Sequence, residues 1–279
     1  IYGSIDLYLQ KTYDLLLERQ LPVVSGFSNI VSNIGRTQNK GIEISLNTRN
    51  VVTKNFEWTT DLTFTAGREE IVELYNGKVD DPGSGWFIGE PIDVYYNYKK
   101  IGIWQDTPED LAEMEKFNAN GANFKPGTIR LWDNGDYKIT EEDKLIIGTK
   151  RPKFVASMVN SFRYRDFDFS LFLYGSQGGM LKNDISIMEK PGRANSVRLD
   201  YWTPNNPTNA YPRPSVDMER PDYISTTYYE NASFLRVRNI TLGYTLPKAL
   251  TSKWSIDKLR FYVTANNPLI FTNFSGIDP

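Results

Sequence analysis

The chain has 279 residues, 32 Lys or Arg against 34 Asp or Glu, and a formal charge of −2, without the basic excess that marks a nucleic-acid-binding domain. It contains no His and no Cys, which excludes Ser-His-Asp triads, Cys-His pairs, His-based zinc sites, thiolate clusters and disulfides. Hydrophobic residues make up 40%, enough for a buried core, yet no apolar run reaches the roughly 18 residues of a membrane-spanning helix.

The opening residues carry no secretory signal pattern; they already read as a strand. From about Gly3 to Tyr13, Ile5, Leu7 and Leu9 alternate with Asp6, Tyr8 and Gln10, the period-two mark of a strand with two different faces. Ile34 to Asn47 repeats the pattern, with Ile42, Ile44 and Leu46 opposite Glu43, Ser45 and Asn47. Phe56 to Thr65 sets Phe56, Trp58, Leu62 and Phe64 against Glu57, Thr59, Asp61 and Thr63. Further strands are predicted over Phe154–Phe162, Phe167–Tyr174, Phe234–Thr245 and Leu259–Ala265. In the sixth, Gly243 and the Arg236/Arg238 pair blur the alternation, as a bulge would.

The connectors alternate in length. Short ones (Asn47–Asn55, Arg163–Asp166, Thr245–Lys258) are interleaved with long ones (Asp14–Asn33, Ala66–Pro152, Gly175–Ala232). An up-and-down antiparallel sheet then carries its short turns at one end and its long loops at the other. With strands of about ten residues, that asymmetry is the signature of a transmembrane β-barrel. A β-sandwich alternates too, and a secreted soluble all-β domain that binds or hydrolyses carbohydrate is the competing reading. In the barrel reading Glu43, Asp61, Asp168 and Arg260 face a wet lumen. Phe56, Trp58, Tyr164, Phe167, Tyr174 and Tyr244 sit near strand ends, where aromatic girdles form.

Inside the long connectors, Thr107–Phe117 is a predicted helix with Thr107 as N-cap, Pro108 at the first position and acids in the first turn. Arg198–Pro221, rich in Pro, Asn and Tyr, reads as irregular loop. Asp133–Asp143 (DNGDYKITEED) is similar to an EF-hand loop, a possible calcium site. Counted back from Asp143 as the last ligand, however, the first position is Trp132 and the sharp-turn Gly is replaced by Tyr137. Asp106, Glu109, Asp110, Glu141 and Glu142 could in principle pair for glycoside hydrolysis, but such acids in loops and helix starts are ordinarily solvated. The expectation is that the chain is not an enzyme.

A series of short stretches, in order, resembles the SusC/RagA type of TonB-dependent outer-membrane transporter. They run from Lys11-Thr-Tyr-Asp-Leu-Leu16, Leu21-Pro-Val-Val-Ser-Gly-Phe27 and Asn33-Ile-Gly35 with Asn39-Lys-Gly-Ile-Glu43, through Gly89-Glu-Pro91, Gly102-Ile-Trp-Gln105, Asp133-Asn-Gly-Asp136 and Ile146-Ile-Gly148. Asp166-Phe-Asp-Phe-Ser170, Trp202-Thr-Pro-Asn-Asn-Pro207 and Ser275-Gly-Ile-Asp-Pro279 follow. The most specific is Ser233-Phe-Leu-Arg-Val-Arg-Asn-Ile-Thr-Leu-Gly-Tyr-Thr-Leu-Pro247.

The resemblance implies an all-β fold: antiparallel up-and-down strands forming part of a barrel of roughly 22 strands, with long extracellular loops. Residues 1–279 would then be a partial C-terminal β-barrel domain, the plug domain, early strands and closing strands lying outside it. It also implies integral outer-membrane location, import of oligosaccharides or oligopeptides, a SusD-like surface lipoprotein as lid, and the TonB complex engaged through the absent N-terminal part. No nucleic acid is expected. Trp104, Trp132, Tyr201, Trp202 and Tyr211 fall in the long connectors, where exposed aromatics would contact cargo or lid; packing among the loops is the alternative.

Overall fold

A computed structural model of the chain describes residues 1–20, 24, 26, 29–33, 35–183, 199–215, 221–276 and 278–279. Parts of the stretches quoted above, residues 21–23, 25, 27, 34, 198, 216–220 and 277, lie outside the described residues. Two compact units are present. Ile1–Ile92, Arg151–Gly179 and Ala232–Asn273 form a strand unit; Asp93–Lys150, Met180–Asn231 and Phe274–Pro279 form a loop unit.

The strand unit is built on a seven-stranded antiparallel sheet. Its members are β1 (Tyr2–Thr12), β2 (Arg36–Val52), β3 (Phe56–Glu73), β4 (Phe154–Tyr164), β5 (Phe167–Gln177), β6 (Phe234–Thr245) and β7 (Arg260–Thr272). Each pairs with its neighbour in chain order, a plain meander. All seven strands expected from the alternation are there. The short connections, residues 53–55, 165–166 and 246–259 with helix α1 (Lys248–Thr251), share one end; the long ones leave from the other.

Strand β7 runs past its expected end at Ala265 to Thr272, and β2 and β3, at 17 and 18 residues, are also longer than expected. The missed run, Ala66–Glu73, hides its pattern because charged residues occupy both faces. Contacts such as Arg151 Nη1 to Glu69 Oε2 at 2.6 Å and Gln38 Nε2 to Glu70 Oε1 at 3.1 Å hold it. Its tip enters a small core where Ile71, Leu74 and Trp86 are buried.

Register places most of the apolar side chains of the seven strands on one face. One row runs Phe56, Tyr164, Phe167, Tyr244, Phe261 across five strands at the short-turn end. Behind it stand Trp58, Phe162 and Phe169, with ring centroids 5.6 and 5.9 Å apart. Asn160, buried on this face, accepts hydrogen bonds from Trp58 Nε1 at 3.0 Å and Thr60 Oγ1 at 2.7 Å, so its carbonyl oxygen is satisfied. Tyr174 corrects the girdle assignment: its partners Ser157 and Arg236 place it on the opposite, polar face.

Leu7 is 78% and Val263 75% exposed on the apolar face. Among the described residues of this unit, no second sheet or helical layer covers it. That removes the β-sandwich, whose inner faces must pack on each other.

The loop unit has its own core. Short antiparallel pairs join Val94–Asn97 to Leu145–Thr149, Lys100–Ile103 to Ile129–Leu131 and Met180–Lys182 to Tyr229–Asn231. The predicted helix is present as α2 (Pro108–Ala119); Thr107 caps it by accepting the Asp110 N–H. Met114 and Phe117 bury its inner side against Trp104 and Phe124.

Candidate functional site

The polar face of the sheet is ordered in rows. Nearest the short turns, Glu57, Arg163, Asp168, Gly243 and Tyr262 stand opposite one another across five strands. Arg49 and Arg163 both reach Glu57 at 2.8 Å, and Arg260 holds Asp168 at 2.6 Å. The next row is hydroxylic throughout: Thr59, Ser161, Ser170, Thr241 and Thr264. Asn47, Asp61, Val159, Phe172, Asn239 and Asn266 follow, then Ser45, Thr63, Ser157, Tyr174 and Arg236. Glu43, Asp61, Asp168 and Arg260 therefore lie on the face expected of them. Small hydroxyls and amides at this density exchange protein for water hydrogen bonds at little net cost, which suits a hydrated surface.

The bulge expected in the sixth strand is at Arg238. The β5 register shifts between Phe172 and Leu173, and the β7 register between Val237 and Asn239.

The candidate aromatics separate by burial. Trp104 and Trp202, 1% and 4% exposed, are core residues of the loop unit. Trp104 packs on α2, and Trp202 packs with Ile103, Ile129 and Leu131 while donating Nε1–H to Gln105 Oε1 at 2.8 Å. From those positions they meet neither cargo nor lid without leaving their packing. Trp132 is half-buried, its N–H bonded to the Lys99 carbonyl. Tyr201 is exposed, and Tyr211 lines a cavity of about 500 Å³.

No local pattern marks that cavity's other polar residues, since the lining comes from four separate segments. Lys100 Nζ donates to the carbonyls of Asn209 and Ala210 at 2.6 and 2.7 Å, and burial holds its pKa below the ordinary lysine value. Glu230 accepts from Ser275 N–H and Oγ–H, both at 2.7 Å, and from Asn183 Nδ2 at 2.9 Å.

Two of the five acids weighed for hydrolysis, Asp110 and Glu141, have structural partners. Asp110 accepts the Gln105 N–H and pairs with Arg130, and Glu141 pairs with Lys144. In the Asp133–Asp143 loop, Asp133 Oδ2 accepts from Gly135 and Tyr137, and the buried Asp143 accepts from Asn134 and Thr140. Asp133 Oδ1 is shielded without a hydrogen-bond partner. Among the described residues no three acidic side chains gather as a cation would require. Tyr137 takes the sharp-turn position with φ +58°, its ring 5.3 Å from that of Phe117.

Along its sequence the chain is 34% identical to TonB-dependent receptor P3 of Formosa agariphila over 291 residues, 99% of this chain and 28% of that protein. It is 31% identical to TonB-dependent receptor SusC of Bacteroides thetaiotaomicron over 292 residues, all of this chain and 28% of the relative. Over nearly its whole length the chain is thus similar to one stretch of TonB-dependent receptors, SusC among them. Its fold matches the solved structure of the RagAB peptide transporter with a TM-score of 0.75 at 23% identity, covering 99% of this chain and 30% of that one. No family model matches. SusC/RagA-type relatives are receptors and transporters, not enzymes, and this chain spans under a third of their length.

Proposed function

We propose that this chain forms part of the wall and outward loops of an outer-membrane, TonB-dependent nutrient importer. The observation that carries this reading is the sheet with one apolar and one polar face, edged by an aromatic row at the short-turn end. Such a wall places lipid on one side and water on the other, and the aromatic row belongs at the interface. The strands β1 and β7 at the sheet's two edges would pair with further strands of a larger closed barrel, of which residues 1–279 are a partial domain. Oligosaccharides or oligopeptides would pass along the polar face. A SusD-like lipoprotein would close over the loops, with Tyr201, Trp132 and Tyr211 as the contact residues that burial permits. Energy would come from the TonB complex, engaged through a part of the protein outside this sequence.

The test uses the absence of Cys from the chain. Single cysteines at Ser170 and Leu171, adjacent residues on opposite faces, are placed in the intact protein in outer-membrane vesicles. A small charged thiol reagent should label Ser170→Cys and spare Leu171→Cys, with the reverse for a lipid-soluble reagent. Equal aqueous labelling of both would remove the membrane-wall reading.

A further inference from the structure

Three arginines of the polar face, Arg49, Arg163 and Arg260, each have a carboxylate between 2.6 and 2.8 Å away. Arg238 differs. Its side chain is exposed, its guanidinium lies 5.3 Å from the centroid of the Tyr174 ring, and among the described residues it has no ion pair. The nearest acid on the adjacent row, Asp61, stands three strands away, roughly 14 Å at ordinary strand spacing and beyond the Debye length of about 10 Å.

Alternation counted from Arg236 puts Arg238 on this face, whereas alternation counted from Asn239 puts it on the other. Arg236 and Asn239 stand opposite Tyr174 and Phe172, both on the polar side. Three steps separate them, an odd number, so one residue is extra. The bulge supplies it, and two consecutive side chains, Arg238 and Asn239, share the polar face. Strand β7 accommodates Arg238 with two residues, Asn267 in the left-handed region at φ +48° and Pro268, which has no N–H for the ladder. Two adjoining strands thus give up regular pairing at the point where one arginine, without a carboxylate among the described residues, is held over an aromatic ring. Beside it, Asn239 Nδ2 donates to Asn266 Oδ1 at 2.8 Å.

We propose that Arg238, seated on Tyr174 and flanked by Asn239 and Asn266, is a subsite for a carboxylate group of the cargo. The proposal rests on the reading above that the polar face lines the passage. A guanidinium fork takes both carboxylate oxygens at once, and the Tyr174 ring 5.3 Å away leaves its N–H donors for a ligand. Acidic peptides and uronic-acid sugars share this chemistry.

The experiment follows phenylglyoxal modification of Arg238 by peptide mapping of the intact transporter in detergent. Triglutamate, trigalacturonate and the neutral control triglutamine amide serve as probes. Arg238 should react without ligand, and a carboxylate probe should slow it by at least about tenfold, as expected for a charge-assisted pair, while the neutral control does not. Protection by one acid alone assigns peptide or sugar. Arg238→Gln should lose saturable binding of the protecting acid, and Arg238→Lys should recover only part of it. Equal modification with and without both acids overturns the proposal. So does an Arg238 that resists the reagent until the protein is unfolded, because a carboxylate of the protein then already holds it. Aqueous labelling at Ser170→Cys with an unprotected Arg238 sinks the subsite and keeps the passage; no labelling at Ser170→Cys sinks the passage itself.

Discussion

Asp168 and Arg260 meet across a strand that lies between them. Asp168 is on β5 and Arg260 on β7, yet Arg260 Nε and Nη2 stand 2.9 and 2.6 Å from the two carboxylate oxygens. Gly243 of β6, directly opposite Asp168, leaves the gap. A Cβ at that position would be 2.4 Å from Arg260 Nη2 and 2.6 Å from Asp168 Oδ1. The pair therefore clips three strands together through a space that only glycine provides.

Gly243→Ala should open this pair. Both partners are about one-third exposed, so solvent screening keeps the loss of unfolding stability small. Arg260→Gln added to Gly243→Ala should then cost little more. Urea unfolding of the intact protein in detergent, run as a double-mutant cycle, checks this; fully additive losses would show that the glycine and the pair act independently.

A second close approach involves Tyr8, whose hydroxyl end lies over Gly41 on β2 and Gly67 on β3. A Cβ on Gly41 would fall 2.5 Å from Tyr8 Oη and 2.6 Å from the Ala66 carbonyl oxygen, whereas one on Gly67 would crowd Tyr8 Oη at 2.7 Å and meet Asn39 Oδ1 and the Lys40 carbonyl at an ordinary 3.6 Å. The ring can swing aside; the backbone carbonyl cannot. Gly41→Ala should destabilise by about 1–3 kcal/mol, as overpacking does, and Gly67→Ala by less. Adding Tyr8→Ala should rescue Gly67→Ala but not Gly41→Ala in the same unfolding assay.

The strands were legible because a two-sided sheet writes its environment into every second residue. Phe234–Thr245 was bounded correctly at both ends, and the disturbance at Arg238 was visible as broken alternation. The extension of β3 was not, since Gly67, Arg68, Glu69 and Glu70 have no apolar face and hold the ladder through charges. The loop unit was the larger omission. Its core is assembled from Ile103, Ile129, Leu131 and Trp202, residues up to a hundred positions apart, and no local period records such contacts. For the same reason the burial of Trp104 and Trp202 could not be told from exposure, and the Lys100–Glu230 cavity left no motif.

Asp200 gives the loop unit a dependence on acid. Thr208 Oγ1 and Asn206 Nδ2 donate to its carboxylate at 2.6 and 2.8 Å, and these bonds hold its pKa below the usual 3.8, Thr208 contributing most. The unfolded segment then binds the proton first as pH falls. The stabilisation is complete above 3.8 and is lost as pH drops through the lowered folded value. Amide exchange across residues 200–208, corrected for intrinsic rates, should quicken in that window. Asp200→Asn should remove the pH dependence; an unchanged profile would mean the carboxylate does not hold the loop.

The Asp133–Asp143 loop is expected to keep its fold without calcium. Its turn is made by backbone N–H groups bonded to Asp133 and Asp143 and by the Tyr137 ring on Phe117, and one shielded Asp133 oxygen is not a coordination shell. Chelation, and then millimolar calcium, should leave the melting temperature unchanged. Tyr137→Gly relieves the left-handed backbone but gives up a buried ring face, for a net loss of about 1–2 kcal/mol. A rise of several degrees with calcium would assign the ion to the loop instead.

Packing and contact roles for the loop aromatics part company in paired measurements. Trp202→Ala should destabilise the loop unit by about 3–5 kcal/mol, the usual loss for emptying a buried aromatic site. Trp202→Phe should lose about 1–2 kcal/mol with the Gln105 hydrogen bond while leaving cargo and lid affinity intact. Tyr201→Ala, at an exposed position, should change stability by no more than about 0.5 kcal/mol, so any drop in lid affinity there reports contact directly. If Trp202→Phe lowered affinity while Tyr201→Ala did not, the buried tryptophan would have to emerge when the partner binds, and the loop unit would be a device that opens instead of a rigid platform.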